Sequence, residues 1–160
     1  MRLAIIALAA LTLSSAEFAE LRDDPPCVAI EREVKRPALS PYHWAEAITG
    51  APATILQATA RTESGESDGA VGDGGISLGR FQINETFREW RVSRYGDYDP
   101  CDPYSAAVIA GRIYVDNMAR LCDPTLAIAA HRQGADGVLQ NGPTMWYIRR
   151  VYSNLKRSPY

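Results

Sequence analysis

Apolar positions recur at helical spacing through much of the second half of this chain. Ile109, Ala110, Ile113, Tyr114, Asn117 and Leu121 fall at three- and four-residue intervals, the stripe that a core-facing helix requires, and predict one helix over Pro103 to Leu121. Leu126, Ile128, Ala129 and Ala130 predict a shorter, nearly all-apolar helix that belongs in the middle of a small α domain. Tyr147, Val151, Tyr152 and Leu155 mark the inner face of a last helix, with Arg149, Arg150, Lys156 and Arg157 on its solvated side. Cations near its end suit the helix dipole. Ser40-Pro41, Ala51-Pro52, Asp102-Pro103, Asp123-Pro124 and Gly142-Pro143 each set Pro at a first helical position, three of them after a Ser or Asp cap. The stretch from Gly65 to Asn84 breaks this regularity. Gly65, Gly69, Gly72, Gly74, Gly75 and Gly79 interrupt any helix, and Ile76, Leu78, Phe81 and Ile83 give a short, imperfect alternation. The pattern as a whole predicts a mainly α domain with a small β element.

Composition limits what such a domain can be. With 160 residues, 46% of them hydrophobic and 22% charged, the chain has the balance of one soluble globular unit with a full core. A net charge of -2 lacks the basic excess of phosphate-dominated binding, so nucleic acid is not an expected partner. Met1-Arg2, the apolar run Leu3 to Leu13 and the small residues Ser14-Ser15-Ala16 have the parts of a secretory signal over residues 1–16. Eleven apolar residues make about 16 Å of helix, short of the roughly 30 Å hydrocarbon core, so no integral membrane segment is expected after the signal is removed. Residues 17–39, rich in Glu, Asp and Pro, predict an extended leader, and 40–160 the folded domain. The expected location is secreted or periplasmic, where disulfides form. The chain has three cysteines, Cys27, Cys101 and Cys122. A helix over Pro103–Leu121 sets its ends about 28 Å apart, beyond the roughly 7 Å reach of a bridge, so Cys27 is expected to pair with Cys101 or Cys122.

The chemistry narrows by elimination. His43 and His131 are the only histidines, and neither has a ligand at metal-motif spacing. The chain carries no nucleophile elbow, P-loop or dinucleotide fingerprint, and no cofactor is expected. Carboxylate acid–base chemistry remains. Glu63 follows Ile55, Leu56 and Ala60 on the helix that starts near Pro52, and stands just before glycines that let backbone approach a ligand. A carboxyl presented to a cleft with apolar walls loses solvation of its anion and serves as a proton donor. Glu66 and Asp68 read as solvated loop charges.

Ala60-Arg-Thr-Glu63-Ser-Gly65, followed by Gly72-Asp73-Gly74-Gly75-Ile-Ser77-Leu-Gly79-Arg-Phe81-Gln82-Ile83-Asn84, resembles the active-site region of the lysozyme-like superfamily, most of all bacterial lytic transglycosylases and goose-type lysozymes. Downstream, Leu126-Ala-Ile-Ala-Ala130-His131-Arg132-Gln133-Gly134 is similar to their Ala-Ala-Tyr-Asn-x-Gly segment, and Tyr147-Ile-Arg-Arg-Val151 looks like their closing block. The match spans roughly Ser40 to Tyr152, with His131 where the family has Tyr and Arg132 where it has Asn. The resemblance implies a lysozyme-like fold and Glu63 as catalytic acid. It also implies substrate contacts from Ser64, Ser77, Phe81, Gln82, His131 and Tyr147, and peptidoglycan glycan strands as the partner. In transglycosylases one acid suffices, whereas a goose-type hydrolase would add Asp73 as a second catalytic carboxylate about 6.5–9.5 Å away. Asp73 beside Gly also suits a turn. A rival reading is a non-catalytic glycan-binding protein serving a cell-envelope assembly partner, and chitin is an alternative polymer.

Overall fold

The computed structural model describes residues 38–157. The predicted signal, Cys27 and all but the last two residues of the leader lie outside them. Six α-helices make up most of the described chain: α1 (Pro41–Thr49), α2 (Ala53–Ser64), α3 (Arg88–Tyr95), α4 (Pro103–Leu121), α5 (Pro124–Asn141) and α6 (Met145–Leu155). Between α2 and α3 lies a three-stranded antiparallel sheet of β1 (Val71–Gly72), β2 (Ser77–Leu78) and β3 (Ile83–Asn84). The protein is mainly α with a small β element, and α4 spans the residues its stripe predicted.

Three of the helix starts follow from their caps. Ser40 Oγ accepts the His43 N–H at 3.3 Å, Asp102 Oδ1 accepts those of Tyr104 and Ser105 at 3.1 and 2.8 Å, and Asp123 Oδ1 those of Thr125 and Leu126 at 2.7 and 2.9 Å. In each case Pro occupies the first helical turn, where its missing N–H has no partner to lose. The other two Pro signals are displaced. Pro52 caps α2 rather than opening it, and α6 begins at Met145 after Thr144, two residues past Pro143.

α4 packs against both α1 and α5, and α2 against α6. One core joins Tyr42 and Ala45 of α1, Leu56 of α2, Phe81 and Ile83 of the hairpin, and Ala106, Ile109 and Ala110 of α4. A second joins Ala58 of α2, Ile128 of α5, and Tyr147 and Val151 of α6. On α6 the buried face carries Ile148 with Tyr147 and Val151, while Tyr152, expected inside, faces solvent and pairs its hydroxyl with that of Thr125 at 3.0 Å. The helix predicted from Leu126 to Ala130 is the first half of α5. It breaks at Gly134, whose φ of 73° leaves the helical region, and resumes to Asn141.

The hairpin joining β2 and β3 places Ser77 opposite Asn84 and Leu78 opposite Ile83, with residues 79–82 as its loop. Gly79 is fixed there twice over. Its φ is +70°, and a Cβ would lie 1.8 Å from the Pro100 carbonyl oxygen.

Candidate active site

The last turn of α2 carries Glu63, and three other segments converge on it. The Glu63 side chain keeps only 12% of its surface exposed. Tyr147 of α6 donates its hydroxyl to Glu63 Oε1 at 2.6 Å. His131 of α5 sets Nε2 3.9 Å from the same oxygen and 3.0 Å from the carbonyl oxygen of Phe81 in the hairpin loop. A carbonyl only accepts, so Nε2 carries the ring hydrogen. Burial drives the Tyr147 phenol far above the ordinary tyrosine range, and the nearby Glu63 charge and their hydrogen bond add to it, so Tyr147 stays a donor throughout the physiological range. Glu63, His131 and Tyr147, separated by as much as 84 residues in sequence, meet because α2 packs on α6 and α5 runs alongside.

The other predicted contacts serve the loop. Ser64 donates to the Arg80 carbonyl at 2.9 Å and accepts the Ser67 N–H at 3.0 Å, stitching the end of α2 to the glycine-rich segment. Gln82 donates its amide to the carbonyls of Gly79 at 2.8 Å and Ala70 at 3.3 Å, across the sheet. Ser77 is buried and donates to Asp73 Oδ2 at 2.5 Å. Phe81 requires a correction: it has no exposed surface and packs edge-on to Tyr42 at 6.4 Å, so it is a core residue and not a groove wall. Asp73 is exposed, adopts φ 49° and opens a short 3-10 turn, Asp73–Gly75, with Ser77 as its hydrogen-bond donor. This is the environment of a turn-forming aspartate.

Sequence reasoning missed a polar network behind the site. Arg80, almost fully buried, reaches Asp68 at 2.5 Å and the Tyr42 hydroxyl at 3.0 Å. Tyr42 in turn donates to Glu66 Oε1 at 2.6 Å, and Arg61 and Gln57 also donate to Glu66, at 3.1 and 3.3 Å. Glu66 and Asp68, expected to be solvated, are therefore tethers that hold the loop onto α1 and α2. Burial alone would raise the Glu66 pKa, but donors from Tyr42, Arg61 and Gln57 outweigh it and hold the carboxyl below its ordinary range. The available signal was Arg80 inside an otherwise apolar stretch, since a buried guanidinium needs acceptors.

Trp146 is 53% exposed, and the Arg132 guanidinium lies over its ring, 4.8 Å from the centroid. Cys101 is disulfide-bonded and Cys122 is free and exposed, while Cys27 lies outside the described residues. A cavity of about 210 Å³ bounded by Trp44, Tyr98, Tyr104 and Arg112 includes none of the candidate catalytic residues. Among the described residues no cluster of His, Cys, Asp or Glu could hold a metal ion, and no helix is long and apolar enough to cross a membrane.

No family model, curated protein or solved structure matches this chain. The reading of its function therefore rests on the motif and on the geometry around Glu63.

Proposed function

We propose that the protein is a secreted or periplasmic enzyme that cleaves peptidoglycan glycan strands as a lytic transglycosylase, with Glu63 as its single catalytic acid. The observation that carries this reading is the setting of Glu63: a largely buried carboxyl at a helix end, oriented by a phenol on Oε1 and flanked by an imidazole. With Oε1 engaged by Tyr147, Oε2 is the oxygen left to deliver a proton to substrate. Glu63 gives that proton to the oxygen of the β-1,4 bond between N-acetylmuramic acid and N-acetylglucosamine. The C1–O bond breaks, and the sugar passes through an oxocarbenium-like state that its own N-acetyl group stabilises. The resulting Glu63 carboxylate takes the proton of the C6 hydroxyl as that oxygen bonds to C1, which closes a 1,6-anhydro ring and returns the acid to its starting form. Water is not consumed. The engagement of Asp73 with Ser77 in an exposed turn supports the one-acid route over a hydrolytic one.

Digestion of purified sacculi tests this. The expected products are anhydromuramyl fragments, absent with Glu63→Gln. Release of reducing ends alone would move the chemistry to hydrolysis and restore Asp73 to the site, and equal lysis by wild type and Glu63→Gln would end the catalytic reading.

A further inference from the structure

Near Tyr147, the residue that orients Glu63, stands a cation with no carboxylate partner among the described residues. Arg132 follows His131 on α5, and Trp146 precedes Tyr147 on α6, so each adjoins a residue that flanks the candidate acid. The Trp146 and Tyr147 rings meet edge to face at 5.9 Å. The positive charge of Arg132 is felt at the Tyr147 phenol, where it opposes the upward push of burial. Gln133 fixes the arrangement by donating to the Gly142 carbonyl at 2.8 Å and accepting the Thr144 N–H at 3.0 Å, which clamps the start of α6 to the break in α5.

A second cation–aromatic pair in the molecule provides a contrast. Arg94 lies 5.9 Å from the Trp90 ring, but its guanidinium is already committed to Asp116 at 2.6 Å. Arg132 has no carboxylate partner among the described residues. Its planar fork of N–H donors, placed over an indole, is able to take a carboxylate at two points. The half-exposed indole offers an apolar face to the C–H face of a pyranose ring.

We infer that Arg132 and Trp146 form a sugar subsite next to Glu63 that selects a ring bearing a carboxylate substituent over a neutral one. This deepens, and rests on, the glycan-cleaving reading of Glu63. The indole supplies sugar affinity and the guanidinium supplies the discrimination.

Binding to full-length protein in a Glu63→Gln background tests the subsite without turnover. The two probes are a tetrasaccharide of alternating N-acetylglucosamine and N-acetylmuramic acid with free lactyl carboxylates, and the neutral N-acetylglucosamine tetramer. The parent should bind the anionic probe about tenfold tighter, the scale of one charge-assisted contact, and lose that preference as salt rises. Arg132→Gln should remove the preference and leave the neutral tetramer within about twofold, Arg132→Lys should retain part of it, and Trp146→Ala should weaken both probes. Both side chains are exposed, and unchanged circular dichroism and melting midpoints confirm folded variants. Equal affinity of the parent for the two probes, a preference that survives Arg132→Gln, equal loss of both probes in Arg132→Gln, or no binding of either probe would each overturn the proposal. Sacculus lysis by Glu63→Gln is a separate readout, which sinks the catalytic reading and leaves the binding result standing.

Discussion

Tyr147→Phe removes one oxygen from the core and almost nothing else, so it isolates the contact on which the site turns. The ring remains packed with Ala58, Ile128 and Val151, and no cavity opens. The lost interaction is a 2.6 Å bond from a phenol to a carboxyl that is 12% exposed. A hydrogen bond contributes about 0.5–1.5 kcal/mol between neutral groups and about 1.5–3 kcal/mol to a charged one. Water can reach part of Glu63, and phenylalanine has no hydroxyl to desolvate, so the net loss should fall where the two ranges meet, about 1.5 kcal/mol. Urea denaturation of wild type, Tyr147→Phe, Glu63→Leu and the double variant forms a cycle whose coupling term should be about 1–2 kcal/mol. Sacculus lysis by Tyr147→Phe should fall about tenfold or more, because the carboxyl is no longer held in one orientation. Coupling below about 0.3 kcal/mol together with unchanged lysis would refute the claim that Tyr147 positions Glu63.

Gly79→Ala forces a Cβ to within 1.8 Å of the Pro100 carbonyl oxygen at φ +70°, and should cost about 3–5 kcal/mol by urea denaturation. Alkaline stability should decline early: burial raises Tyr42 and Tyr147 well above the ordinary range, and burial with the Asp116 hydrogen bond pushes Tyr95 up to about 12. The unfolded chain releases these protons near pH 10 while the fold retains them. Stability is therefore fully present below pH 10 and falls above it, by about 1.4 kcal/mol per pH unit for each such phenol, as melting midpoints between pH 9 and 12 would record. Asp73→Asn preserves an acceptor for Ser77 and should leave lysis within about threefold; a loss of a hundredfold or more would make Asp73 a chemical participant.

Much of the helical frame was legible because its signals are local. Ser40, Asp102 and Asp123 cap helices by reaching two or three residues ahead, and the stripe on α4 reports one long face. The place of Glu63 at the end of α2, just ahead of the glycines, was legible as well. The hairpin was less so, since strands of two residues are too short for alternation to say which side chains point inward. Phe81, a substrate contact by the resemblance, is found in the core. Its neighbour Gln82 sits at φ 47°, a turn conformation that the Gly-x-x-Gln spacing does not reveal. The pairing of Arg80 with Tyr42 joins positions 38 apart, and that of Tyr147 with Glu63 positions 84 apart; no periodicity within either segment encodes such distances. Arg132 over Trp146 depends on the break at Gly134 and the Gln133 clamp, which appear only once the helices are assembled.

The inward-turned tip of the hairpin governs how this region can move. Peeling residues 79–82 from the helices would carry Phe81 into water, at about 2–3 kcal/mol for the ring alone, and would strip His131 of its carbonyl acceptor. The sheet is thus riveted to the helical floor, and its opening is a rare excursion rather than a free motion. The surroundings of Glu63 are set when the chain folds, and under the proposed glycan-cleaving function the fitting of a strand falls to surface side chains such as Arg132 and Trp146 rather than to a moving backbone.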